Sequence, residues 1–110
     1  MARPRKQLDL RAVALALEVG LPWTLMLTVR SLAESSHEDA ETACTLIAVA
    51  EAIGAKHGYR NTPEERRRHE QLLTECTQRV GAAAVAAALL RGATLGNAAI
   101  GELAAVAHAR

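Results

Sequence analysis

Few side chains in this sequence have the type and spacing that chemistry needs, and each of them has a plainer use. Glu34-x-x-His37 has the carboxylate–imidazole spacing of di-metal four-helix proteins, but such a site needs a second pair and two more carboxylates. No second E-x-x-H faces a core, and the fragment straddles a helix start, so these residues read as solvated and no metal is expected. Arg66-Arg67-Arg68-His69 has the look of a phosphate-binding patch. Glu64→Arg68, Arg66→Glu70 and Glu75→Arg79 stand four apart, however, so the run is neutralised along its own helix. Cys44 and Cys76 each stand 16 residues from position 60 and fall at similar height on two facing helices. They read as buried, reduced neighbours that pack as small hydrophobes. No His or Asn is spaced to activate a thiol, and His57, His69 and His108 read as solvated. Nothing resembles a nucleophile elbow. No cofactor and no catalysis are expected.

What positions these residues is helix throughout. Of 110 residues 24 are alanine and 15 leucine, against 10 valine plus isoleucine, a balance that favours helix over sheet. The length suits one domain, here 8–110, behind a basic lead (1–7, MARPRKQ) expected to lack structure. Six helices are expected, over 9–19, 22–35, 37–56, 63–80, 82–90 and 96–108, with short connections that favour antiparallel neighbours. The clearest punctuation lies between 36 and 80. Ser36-His37-Glu38-Asp39 opens one helix, the Gly54/Gly58 region closes it, and Thr62-Pro63-Glu64-Glu65 opens the next.

Core faces follow from periodicity. The first helix turns Leu10, Val13, Ala14 and Leu17 inward, the second Leu25, Met26, Val29, Leu32 and Ala33. The third carries a broad apolar arc from Ala40 to Ile53. The fourth is held by a narrow seam of Leu72, Leu73, Cys76 and Val80. The fifth is small, apolar and expected to be buried, with Gly92 ending it. Trp23 and Leu27 lie opposite the main face of the second helix, beside Arg30 and Glu34. With Leu15 they are the candidate interface residues, because a helix apolar on two sides is sandwiched or exposes a contact surface.

The stretch 42–107 resembles the C-terminal end of the tetratricopeptide-like helical region in large bacterial ATPase-linked transcriptional regulators of the LuxR type. The resemblance rests on Ala48-Val49-Ala50-Glu51-Ala52, Gly58, Pro63-Glu64-Glu65, Val80-Gly81, Leu89-Leu90-Arg91-Gly92 and a final Ala/Leu helix. The chain departs from that pattern at Val85 and Leu89, where aromatics are usual, and at Gly96-Asn97-Ala98-Ala99, where an acidic helix start is usual. It has no G-x-x-x-x-G-K-[ST] loop and no helix-turn-helix, so neither ATP binding nor DNA reading carries over. What the resemblance implies is a stacked helical platform for partners.

A net charge of +1 gives no global field for nucleic acid, and the cysteines lack C-x-x-C spacing and fit a reducing compartment. Arg11 and Glu18 interrupt the early apolar stretch, and no run reaches ~18 uncharged apolar residues, which argues against export or a membrane span. The expectation is an all-α cytoplasmic module for self-association as a homodimer or for protein–protein interaction, linked to transcriptional regulation. The alternative is a sensor holding an apolar small molecule between helices near Trp23 and Leu27.

Overall fold

A computed structural model describes residues 5–36 and 39–95, and among these every regular element is a helix. In order they are α1 (Arg5–Val19), α2 (Pro22–Ser35), α3 (Ala40–Lys56), α4 (Pro63–Val80) and α5 (Ala82–Thr94). The sixth expected helix, over 96–108, lies outside the described residues, as do His37 and Glu38. α1 begins at Arg5, so Arg5, Lys6 and Gln7 stand in a helix rather than in an unstructured lead.

Local chemistry sets the ends. Pro22 occupies the first turn of α2, where the missing amide is no loss. The start of α3 is three residues later than Ser36 implies. Asp39 is the cap: its carboxylate accepts from the Thr42 amide at 3.3 Å and from the Thr42 hydroxyl at 2.8 Å. Ser36 instead closes α2, fully buried, with its Oγ unpaired among the described residues. α3 ends in a Schellman turn, in which the Tyr59 amide donates to the Gly54 carbonyl at 2.8 Å and the Gly58 amide to the Ala55 carbonyl. Gly58 supplies the left-handed residue at φ +78° that this turn requires. α4 opens with a full capping box between Thr62 and Glu65, behind Pro63. A single glycine, Gly81, links α4 to α5.

α3 is the centre of the packing. From Thr42 to Ala50 each residue is buried, so this helix is covered on every side rather than along an arc. α2, α4 and α5 all pack on it, and α1 packs on α2. Alanines at 43, 48 and 50 keep the neighbours close. α5 approaches it closely: a Cβ added at Gly92 would overlap the Thr45 carbonyl oxygen and stand 2.6 Å from the Ala48 Cβ. Gly92 therefore does not end α5; it lies inside the helix at its crossing with α3.

Three expected faces need correction. In α1, Val13 and Ala16 are buried while Ala14 is exposed, so the inward face is rotated from the expected one. In α4 the seam narrows to Leu72 and Cys76, with Leu73 half-buried and Val80 exposed. α5 is not wholly buried. Val85, Ala88 and Gly92 form its inward stripe, and Leu90 is 70% exposed.

Candidate functional site

The outer face of α2 is defined by its inner one. Leu25, Met26, Val29, Leu32 and Ala33 go into the core, which leaves Trp23, Leu27, Arg30 and Glu34 at helical spacing on the other side. Trp23 is 46% exposed and Leu27 51%, and on α1 Leu15 is 61% exposed. All three candidate interface residues are thus open at the surface. Trp23 is also steadied: its ring meets Tyr59 edge to face at 5.2 Å between centroids and 70° between planes.

Tyr59 belongs to a polar clasp beside this face. The Arg30 guanidinium reaches across from α2, donating to Glu65 Oε2 at 2.6 Å and to Asn61 Oδ1 at 2.9 Å. It also stands 5.7 Å from the centre of the Tyr59 ring. Asn61 Nδ2 donates to Glu51 Oε1 at 2.8 Å, and His69 Nδ1 lies 3.0 Å from the same oxygen. Tyr59 donates its hydroxyl hydrogen to Glu65 Oε1 at 2.6 Å, and the Thr62 amide donates there at 2.8 Å. One carboxylate, Glu65, so serves a helix cap, a tyrosine and an arginine at once.

The electrostatics follow from that sharing. The Thr62 amide, then the Tyr59 hydroxyl, and more weakly Arg30 hold the Glu65 carboxyl below its ordinary 4.5. Tyr59 is pushed above 10.0, chiefly because ionising it would give up the hydrogen bond its hydroxyl donates to Glu65, and then by burial. Side chains of Arg30 and Glu65 are only 14% and 16% exposed, so this pair is shielded from solvent more than a surface ion pair. Each group in the clasp points at another member, which makes it a device for holding α2, α3, the Schellman turn and α4 together. His69, expected to be solvated, is one of its members. Arg66, Arg67 and Arg68 are exposed.

Cys44 and Cys76 do meet. Both are buried and free, and their thiols hydrogen-bond between α3 and α4. Burial, then the neighbouring thiol, pushes Cys44 up to about 12. A thiolate nucleophile or metal ligand is disfavoured there at neutral pH. Among the described residues no group of three or more His, Cys, Asp or Glu could hold a metal ion.

An opening with room for a ligand has neither Trp23 nor Leu27 among its described lining residues. A cleft of about 690 Å³ lies where the α1–α2 turn faces α3 and the end of α5, with Leu17, Leu21, Leu25 and Ile53 in its walls. Lys56 and His57 are the ionisable side chains among its described lining residues.

Comparison with known proteins gives no match: neither a family model, nor a curated protein, nor a solved structure is similar to the chain. Among the described residues no helix is long and apolar enough to cross a membrane.

Proposed function

We propose that this chain is a non-catalytic helical module that works by self-association or by binding another protein, in the cytoplasm. The observation that carries the reading is the outer face of α2, where Trp23 and Leu27 stay half exposed on a helix whose other side is already fully used. A tryptophan fixed by Tyr59 and flanked by the Arg30 clasp presents a preorganised surface, and large aromatic side chains of that kind are the usual anchors of interfaces. A two-fold homodimer is the commonest way to cover such a patch. The resemblance of 42–107 to the helical platform of LuxR-type regulators supports the same reading, with a link to transcriptional control and antiparallel, tetratricopeptide-like stacking as its finer form.

Light scattering on the full chain at micromolar concentration tests it. The wild type should run as a dimer, and Trp23→Asp and Leu27→Asp should run as folded monomers by circular dichroism. A monomeric wild type that also captures no partner protein, or variants that stay dimeric, would overturn the proposal.

A further inference from the structure

We infer that the cleft between the α1–α2 turn, α3 and α5 binds a free single-chain carboxylate, its alkyl tail against the apolar walls and its head at Lys56 and His57. The volume comes first. About 690 Å³ lies within the ~300–1,000 Å³ of small-molecule sites. The walls come next. Leu17, Leu21, Leu25 and Ile53 line it, and Leu21 is an exposed leucine with no polar group to recommend it to water. Apolar surface of this kind, concave and rimmed by polar groups, is what a flexible alkyl chain fills.

Charge decides the head group. The two ionisable side chains among the described lining residues are consecutive and basic, and no carboxylate of the described residues lines the cleft. Lys56 stands in the last turn of α3, a position basic residues often take to neutralise helix carbonyls. Here three of the last four carbonyls already have partners. The amides of His57, Gly58 and Tyr59 take the carbonyls of Ile53, Gly54 and Ala55. Among the described residues nothing pairs with the ammonium, which can meet a ligand with His57 beside it as a hydrogen-bond donor. An anionic head is favoured and a cationic one repelled.

The site contains neither Trp23 nor Leu27, so its failure and that of the association surface are separable. Calorimetric titration of the full chain with sodium hexanoate, octanoate and decanoate should give one site. Affinity should rise roughly fourfold per added methylene while the tail is still entering the cleft. Decyltrimethylammonium should bind at least about tenfold more weakly than decanoate, and decan-1-ol should fall between. Lys56→Glu, at an exposed side chain, should weaken decanoate about fivefold and leave decan-1-ol within about twofold. Ala52→Trp fills the cleft from α3 and should abolish binding of both with helical circular dichroism retained. Absence of saturable decanoate binding overturns the inference. So does equal binding of the cationic and anionic amphiphiles, or decanoate affinity indifferent to Lys56→Glu. Should Ala52→Trp unfold, the Lys56→Glu comparison decides alone.

Discussion

Replacing Gly92 by alanine sets two effects of opposite sign against each other. Inside a helix, alanine is favoured over glycine by ~1 kcal/mol, so propensity alone makes Gly92→Ala stabilising. Packing says the reverse. The new methyl would overlap the Thr45 carbonyl oxygen, with the Thr45 carbonyl carbon at 3.1 Å and the Ala48 Cβ at 2.6 Å, where carbons prefer ~3.5–4.0 Å. The carbonyl is main chain of the most buried helix and has no rotamer to yield. α5 must lift from α3, which also stretches the 3.4 Å bond from Arg91 to the Thr45 hydroxyl. Overpacking costs ~1–3 kcal/mol and sometimes more, and rigid backbone puts this site at the upper end. After the propensity gain a net loss of about 2 kcal/mol remains, which for a domain of this size lowers Tm by roughly 8–16 °C. Urea denaturation followed by circular dichroism measures it. Gly54→Ala is the comparison, since its new methyl meets chiefly the Met26 sulfur at 2.9 Å, the movable part of a flexible chain. That variant should lie within about 1 kcal/mol of wild type. A Gly92→Ala protein as stable as wild type, or more so, would refute the close crossing.

Ser36→Ala should be neutral or stabilising by up to about 1 kcal/mol in the same titration, because it deletes a buried, unpaired hydroxyl; a loss of ~1 kcal/mol would make Ser36 a working cap after all. Glu65→Gln should destabilise by a constant amount above about pH 5. Because folding lowers the Glu65 pKa, its contribution is complete above the ordinary 4.5 and fades as pH falls through the folded value. The gap between variant and wild type should therefore close towards pH 3 in acid titrations. Leu72→Ala should cost ~2–5 kcal/mol and Val80→Ala less than about 1, in keeping with a seam that ends at Cys76. Both thiols should resist an aromatic disulfide reagent in the native protein and react at once in denaturant, since they are buried and Cys44 is held protonated.

Where sequence and structure agree, the signal was local. Pro22, Thr62-Pro63-Glu64-Glu65 and Gly58 fix their turns through atoms a few residues apart, and α2 and α4 have the expected ends. Local sequence does not choose the cap of α3, because Ser36 and Asp39 are both good ones; the fold decides, since the backbone of Ser36 closes α2. Gly92 looks like a helix end in the sequence because its reason lies 47 residues away, in Thr45. α5 looked buried because it is apolar, yet alanine exposes so little area that leaving it in water costs little. The open positions of Trp23, Leu27 and Leu15 were legible from helical spacing. The clasp was not. Arg30 finds Glu65 across 35 residues, and each member alone looks like ordinary solvated polarity.

The chain has one tryptophan and one tyrosine, and the fold sets them 5.2 Å apart. At that separation light absorbed by the phenol is passed to the indole before it can be emitted. The native protein should show tryptophan emission alone, even when excited where tyrosine absorbs. If the turn carrying Tyr59 swings away from α2, a tyrosine band must emerge, whether or not any helix has melted. The turn thus carries its own optical ruler, able to separate its loosening from loss of the helices without any label.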